Sequence, residues 1–313
     1  MIDILPQWCG AKALLPDDVF RCYKKAGRIA KDVREEATKI VREGASVLQV
    51  CETIEKLIRD KGGRLAFPCN ICMNEVAAHY SPPPGEKSLV PVGSLVSVDL
   101  GVHVEGYIAD TAISIGFGPD YDDMINATND ALEQAINTLR PGIKLSDVGR
   151  VVQKTIERYG FKPIRNLSGH QVARYAIHAG KSIPNVSGFD GPKISEGEVY
   201  AIEPFVTTPS AKGEVRGIDE AYIFRFQKER TVKDVNVRML LKEVKSRFKT
   251  LPFSERWLRG ILPDEELDRA LSELLSNKSV VTYPVLVESS GNVVAQAEHT
   301  AIITRDGCVP TTT

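Results

Sequence analysis

An internal repeat limits the folds open to this 313-residue chain more than any other pattern in its sequence. The segment from Arg42 to Gly62 recurs as the segment from Arg140 to Gly160, at a constant offset of 98 residues. The matched positions are Arg42, Gly44, Val50, Ile54, Ile58 and Gly62, then Arg140, Gly142, Val148, Val152, Ile156 and Gly160. Each copy continues into an apolar run that ends in a carboxylate, Asp99 or Glu203. One repeat is too few for a solenoid, so the pattern predicts an α/β fold of two related halves.

One helical pattern leads into the first copy of the repeat, and a second lies within it. Asp17 and Asp18 can cap a helix from Val19 to about Glu43, which Gly44 would end. A second helix is predicted from Ser46 to Gly62, because six apolar residues recur at helical spacing: Val47, Val50, Cys51, Ile54, Leu57 and Ile58.

The second half is interrupted between Glu203 and Glu298. Helical spacing returns there in two apolar series, namely Val237, Leu240, Leu241, Val244 and Phe248, then Leu267, Leu271, Leu274 and Leu275. We therefore predict a single domain, residues 1–313, with a helical insertion at about 206–280. Lys and Arg outnumber acids in this insertion. A solvated helix face explains that excess, and a contact with ribosomal RNA is the alternative.

Composition argues against several classes of partner. A net charge of −1 gives no overall attraction to nucleic acid or anionic lipid. No apolar run reaches the roughly 18–20 residues that span a bilayer, and Met1–Pro6 lacks the blocks of a signal peptide. These features predict a cytoplasmic protein without a membrane partner. The six cysteines (9, 22, 51, 69, 72 and 308) include one CxxC, but without a second CxxC or a histidine pair we interpret them as buried reduced thiols.

Two β-rich runs flank Glu105-Gly106 and predict a hairpin. A turn at 104–105 places Asp99 directly opposite Asp110, and a turn at 105–106 places the two diagonally on the same face. Either register points both carboxylates into an apolar interior. Because two buried carboxylates repel each other and lose hydration at a cost of several kcal/mol, and neither strand contains Lys or Arg, bound cations are the economical solution.

Further ligands occur in comparable motifs: His170 after Gly169, Glu203 before Pro204, and Glu298 in Gln296-Ala297-Glu298-His299. By the repeat, Glu203 is the counterpart of Asp99 and Glu298 that of Asp110. Four carboxylates and one histidine are enough for two divalent ions about 3.5–4 Å apart.

At these residues the sequence resembles the type 2 methionine aminopeptidases over nearly the whole chain. The matching motifs are Phe67-Pro-x-Asn70, Asn74-Glu-x-Ala-Ala-His79-Tyr-x-Pro, Asp99-x-Gly, Gly106-Tyr-Ile-Ala-Asp110-Thr-Ala, Gly169-His170, Ile177-His178, Ala-Ile-Glu203-Pro-Phe205, Leu251-Pro-Phe, Tyr283-Pro-Val-Leu and Gln-Ala-Glu298-His-Thr. The insertion resembles type 2 rather than type 1, and the lack of a charged N-terminal extension resembles the archaeal form. Ala297 departs from the pattern, where an aromatic residue is common, but removes no ligand.

The resemblance implies a pita-bread α/β fold and removal of the initiator methionine by a water activated between two divalent ions (Co, Mn, Fe(II), Zn or Ni). It implies metal ligation by Asp99, Asp110, His170, Glu203 and Glu298, with Asp110 and Glu298 bridging the ions and Glu203 also carrying protons. It implies that His79 and His178 hydrogen-bond the scissile amide and stabilise the oxyanion. It further implies a methionine pocket lined by Phe67, Ile177, Phe205 and Tyr283, a monomer, and substrates that are peptides and nascent chains, with the ribosome as a candidate partner.

Two alternatives stay open at this point. An Xaa-Pro aminopeptidase or dipeptidase would keep the fold and change the substrate. A non-catalytic relative would use the fold to bind RNA or ribosomes, but such relatives lose metal ligands, and here all five are present.

Overall fold

The computed structural model describes residues 15–188 and 190–313. Cys9 and the first six residues therefore lie outside the described part. Six α-helices occur in the described residues: α1 Asp17–Ile40, α2 Val47–Asp60, α3 Asp122–Thr138, α4 Leu145–Arg158, α5 Val235–Phe248 and α6 Asp264–Ser276. None of these helices has the length and apolar character needed to cross a membrane.

Two short 3₁₀-helices, Pro119–Tyr121 and Glu255–Trp257, also occur in these residues, as do eighteen strands. They are β1 Arg64–Leu65, β2 Asn70–Met73, β3 Val76–Ala78, β4 Leu95–Val104, β5 Tyr107–Gly116, β6 Lys162–Pro163, β7 Ser168–Val172, β8 Ser182–Pro184, β9 Val199–Ile202, β10 Phe205–Thr207, β11 Val215–Gly217, β12 Ile223–Phe226, β13 Phe253–Ser254, β14 Val280–Tyr283, β15 Leu286–Glu288, β16 Val294–Gln296, β17 His299–Thr304 and β18 Gly307–Pro310.

The first half is a sheet covered by two helices. Strand β4 forms a long hairpin with β5 and also pairs with β1 and β2. Helices α1 and α2 bury their apolar faces on this sheet in one core cluster. The second helix begins where the sequence predicts, because the Ser46 side chain accepts a hydrogen bond from the Gln49 N–H. The first ends at Ile40, three residues before the predicted Glu43, and the chain is already extended at Val41.

The second half repeats this plan. Its sheet has the order β18-β17-β9-β7-β8, and α3 and α4 pack on it around a separate core. Matching backbone hydrogen bonds confirm the duplication: Gly44 N–H donates to the Val90 carbonyl at 2.8 Å, and Gly142 N–H donates to the Ile194 carbonyl at 2.9 Å. Both glycines have positive φ, 74° and 87°, which favours glycine at the turn before each repeated helix.

Helices α5 and α6 lie between β12 and β14, where the sequence predicts helices. They enclose a small core of their own with the sheet β13-β12-β14. Its residues include Phe224, Leu240, Phe253, Leu271 and Val280. The treatment of this region as a subdomain inserted in a single domain, with bounds at about 206–280, remains a proposal.

The described cysteines are free thiols. Cys51, Cys69, Cys72 and Cys308 are buried, whereas Cys22 is only partly buried and so departs from the expectation of fully buried thiols. Burial raises the pKa of the Cys72 thiol to about 12.

The chain end packs tightly on α1. Thr311 N–H donates to the Thr300 carbonyl at 2.8 Å, and a Cβ placed on Gly27 would lie 2.2 Å from the Thr311 carbonyl oxygen. Since that neighbour is backbone, it has little freedom to move aside.

We expect Gly27→Ala to lower the free energy of unfolding by about 1–3 kcal/mol through overpacking, although Ala normally stabilises a helix interior by about 1 kcal/mol over Gly. Urea denaturation measures the change. Gly307→Ala is the control, because no atom lies within 4 Å of its added Cβ; a stabilised Gly27→Ala protein would contradict the close contact.

Candidate active site

The hairpin register brings Asp99 and Asp110 to one face. Asp110 pairs with Gly101, and Asp99 pairs with Ala112. This is the register of the 105–106 turn, the second of the two open from the sequence, so the carboxylates are diagonal neighbours. Gly101 lies between them, and the Phe67 ring covers it so closely that a Cβ there would be 2.2 Å from a ring carbon.

Glu298 reaches this face from the other half of the molecule. It lies between β16 and β17 and forms a bridge with Ala112, in which Glu298 N–H donates to the Ala112 carbonyl at 3.1 Å. The bridge joins the two halves beside Asp110. Glu298 therefore lies beside the Asp110 strand, at a break between β16 and β17.

His170 and Glu203 complete the cluster. His170 pairs with Ala201 on the neighbouring strand, and its Nε2 lies 3.7 Å from Asp110 Oδ2 and 3.6 Å from Glu203 Oε1. Ligand atoms of Asp110, His170 and Glu298 all lie within 4.8 Å of one another. The five predicted ligands are thus neighbours, although they span 200 residues of sequence.

The cluster has the polar atoms that a cation would satisfy. Asp99 Oδ1, Asp110 Oδ1 and Glu298 Oε1 are buried and have no hydrogen-bond partner in the described part of the chain. Such orphaned acceptors are rare in folded proteins unless a ligand, ion or water binds them. Carboxylate oxygens with one imidazole nitrogen form a donor set that suits divalent ions such as Mn, Fe(II), Co and Zn.

Burial sets the protonation of these groups. It raises the pKa of Asp99 to about 7. Burial first, and then the neighbouring carboxylates, raise the pKa of Asp110 and Glu298 well above their usual range. Burial lowers the pKa of His170 to about 3, so the imidazole is neutral and able to ligate a metal at physiological pH.

The backbone at two of the acids is fixed by hydroxyl groups that the sequence did not reveal. Asp110 N–H donates to Thr300 Oγ1 at 2.8 Å, and Thr111 Oγ1 donates to the Glu298 carbonyl at 2.8 Å. Arg34 from α1 donates to Thr111 Oγ1 and lies 2.9 Å from His299 Nδ1. No local motif predicts such contacts, because their partners are up to 265 residues apart.

A cavity of about 230 Å³ opens above the cluster. Every residue predicted for the site lines it: Phe67, His79, Asp99, Asp110, His170, Ile177, His178, Glu203, Phe205, Tyr283 and Glu298. The sequence missed further lining residues, among them Asn70, Asn166, Leu167, Ile223 and Pro252. Two of these, Asn70 and Pro252, lie within motifs that carried the family resemblance, and this could have indicated that they belong to the site.

Two histidines and a tyrosine stand at one side of the cavity. The His79 and Tyr283 rings are nearly perpendicular with centroids 5.4 Å apart, and the His170 and His178 centroids are 4.4 Å apart. His79 Nδ1 lies 3.2 Å from the Pro284 carbonyl oxygen. Burial lowers the pKa of His79 to about 4, so this ring is neutral at pH 7.

The hairpin that carries Asp99 and Asp110 also contacts the loop that carries His178. Tyr175 N–H donates to the Gly106 carbonyl at 2.8 Å, and Arg174 Nε donates to the Glu105 carbonyl at 2.9 Å. A Cβ on Gly106 would lie 2.4 Å from the Tyr175 ring. The tip of the hairpin is therefore seated against this loop.

Comparison with known proteins agrees with this geometry. Residues 21–225 match metallopeptidase family M24. The methionine aminopeptidase of Methanothermobacter thermautotrophicus is 43% identical over 290 residues, which are 91% of this chain and 96% of that protein. The chain belongs to the methionine aminopeptidases of family M24.

Solved structures show the same fold at lower sequence identity. A thermophilic Arx1 superposes with a TM-score of 0.81 at 20% identity and covers 95% of this chain and 91% of its own. The methionine aminopeptidase of Thermotoga maritima superposes with a TM-score of 0.68 at 23% identity, covering 97% and 99%. The predicted pita-bread fold is confirmed, and a metallopeptidase of this family uses divalent metal ions.

The raised Asp99 pKa leads to a pH test on metal-free protein. Below pH 3.8, the usual pKa of an aspartate, the Asp99 carboxyl is protonated in both the folded and the unfolded chain, and its contribution to stability is fully present. That contribution is lost as the pH rises through the folded pKa of about 7. With chelator present, the stability of wild type relative to Asp99→Asn should therefore fall between pH 4 and pH 7.

Urea denaturation at several pH values measures this difference, and Asp306→Asn on an exposed turn serves as the control. Added Mn²⁺ should abolish the decline, because a cation favours the ionised carboxylate. A wild-type-to-variant difference that does not change with pH would contradict the raised pKa.

Proposed function

We propose that this chain removes the initiator methionine with two divalent ions held by Asp99, Asp110, His170, Glu203 and Glu298. The observation that carries the proposal is the convergence of four carboxylates, two buried (Asp110 and Glu298) and two partly buried (Asp99 and Glu203), with a neutral histidine at a small cavity with aromatic walls. Asp110 and Glu298, which face each other across the bridge between the halves, suit the role of ligands shared by both ions. The assignment to the archaeal type 2 group is part of the same proposal.

When bound, such ions lower the pKa of a coordinated water towards neutrality and polarise a carbonyl. Glu203 is suited to move the proton of that water, because it lines the cavity with its side chain 14% exposed. In the metal-free chain, burial, and then the charge of Asp99, raise the Glu203 pKa. With ions bound, its carboxylate would be suited to accept the proton of the water and pass it to the leaving amine.

The hydrogen bond of His79 supports one role for this residue. A carbonyl oxygen only accepts hydrogen bonds, so the contact with Pro284 assigns the ring proton to Nδ1. Nε2 then carries the lone pair and accepts an N–H, such as that of the scissile amide. Oxyanion stabilisation is left to His178, which is exposed at the mouth of the cavity.

The apolar walls select the side chain. Phe67, Ile177 and Phe205 are buried, and Tyr283 is partly buried. An unbranched thioether adapts to such a pocket and makes favourable contacts with aromatic rings. The cytoplasmic location, the monomeric state and any contact with the ribosome stay predictions, as does the choice among Co, Mn, Fe(II), Zn and Ni.

Peptide turnover tests the substrate. Protein loaded with Mn²⁺ should release methionine from Met-Ala-Ser and should leave Xaa-Pro dipeptides intact, because the pocket accepts a long apolar first residue. Liquid chromatography of the products measures both reactions. Preferential cleavage before proline would instead favour the Xaa-Pro alternative, and cleavage of neither peptide would favour the non-catalytic one.

Asp110→Asn tests the metal ligands. We expect turnover of Met-Ala-Ser to fall by at least about 10³-fold, because a shared ligand is lost while the fold remains. Asp306→Asn should retain full activity. Circular dichroism confirms folding and elemental analysis counts bound metal; a fully active Asp110→Asn protein would refute the ligand assignment.

A further inference from the structure

His79 lies in a segment outside the sheets and helices, which β2 contacts through the hydrogen bond from Ile71 N–H to the Tyr80 carbonyl at 2.9 Å. Strand β3 ends at Ala78, and residues 79–83 have no regular secondary structure. The φ of His79 is 67°, a left-handed conformation that a residue with a Cβ adopts only when its surroundings impose it. The position of the imidazole therefore depends on contacts from elsewhere in the chain.

Those contacts come from the region between β12 and β15. The Pro284 carbonyl and the Tyr283 ring contact the imidazole itself. Arg256 holds the backbone that follows: its Nη2 donates to Ser81 Oγ at 3.1 Å, and its Nε donates to the Pro82 carbonyl at 2.7 Å. His79 is thus held by contacts to its ring and by hydrogen bonds to the residues two and three positions later.

Arg256 is itself fixed in place. Its side chain is 5% exposed and that of Glu55 is 2% exposed. The guanidinium donates to both Glu55 oxygens, at 2.8 and 3.1 Å, and to Cys51 Sγ at 3.1 Å. Trp257 Nε1 donates to the same carboxylate at 2.8 Å. A bidentate, buried pair of this kind has little freedom to reorient.

We propose that Arg256 is a positioning residue for His79, and that the region around the helical insertion serves to aim this histidine into the cavity. The inference rests on the proposed function. Arg256 touches neither the metal ligands nor the cavity; it acts by tying the segment after His79 to α2 through Glu55. Trp257 donates to the same carboxylate but has no hydrogen bond to that segment within the described residues, which makes it the matched control.

Arg256→Lys is the first test. Lysine keeps a positive charge beside Glu55, but one ammonium cannot reach both Glu55 oxygens, Ser81 and Pro82 together. We expect kcat on Met-Ala-Ser to fall roughly tenfold, because small displacements of a catalytic group have large effects on rate. Trp257→Phe should lower the melting temperature without changing kcat.

A double-mutant cycle separates positioning from general damage. In a His79→Ala background, Arg256→Lys should change kcat by less than about twofold, because the residue it positions is gone. An equal loss of activity in both backgrounds would overturn the proposal, as would unchanged kcat in a folded Arg256→Lys protein. If Arg256→Lys does not fold, Ser81→Ala replaces it and should show a smaller loss with the same dependence on His79.

A spectroscopic readout is independent of activity. In protein labelled with ¹⁵N-histidine, Arg256→Lys should shift the ring signals of His79, whereas Trp257→Phe should leave them unchanged. Inactive wild-type protein would refute the proposed function and leave this measurement valid. Unshifted His79 signals in Arg256→Lys would refute the positioning role even in an active enzyme.

Discussion

Repulsion among buried carboxylates is the interaction around which the rest of this protein is arranged. Asp99, Asp110, Glu203 and Glu298 come from both halves of the chain and converge in a space where burial alone raises the pKa of each. Without a cation such a cluster is protonated or strained. Bound cations relieve this free-energy cost, and the cluster therefore binds metal strongly and selectively.

The two halves are held in register at this cluster by hydrogen bonds and by a shared apolar cluster, in which Ile108 of the first half packs with Val199 and Ile302 of the second. Each half has its own core, one beneath α1 and α2 and the other beneath α3 and α4. Between them, the bridge of Ala112 with Glu298 and the hydroxyls of Thr111 and Thr300 connect the ligand-bearing strands directly. The site is consequently rigid where ligands must converge, and the cavity walls come from peripheral elements.

Much of this could be predicted because local rules determined it. The repeat predicted the related halves, and the alternation of side chains in a hairpin required Asp99 and Asp110 to share a face. Turn type alone could not choose between two registers; the choice is visible only in the pairing of Asp110 with Gly101. The sequence could not assign roles to Thr300, Asn166 and Arg256. Their partners are distant in sequence, and no regular spacing connects them. Identification of the cavity walls depended on the family resemblance rather than on the physics of isolated residues.

The seating of the hairpin tip has one more consequence. Turns at the end of a hairpin ordinarily accept extra residues with little effect. Here Glu105 and Gly106 join the loop of His178 through two backbone carbonyls and a ring packed on a glycine. Lengthening this turn would move the tip of the hairpin away from the loop that carries His178. Relatives that keep this chemistry should therefore vary in length elsewhere, and keep this two-residue turn short.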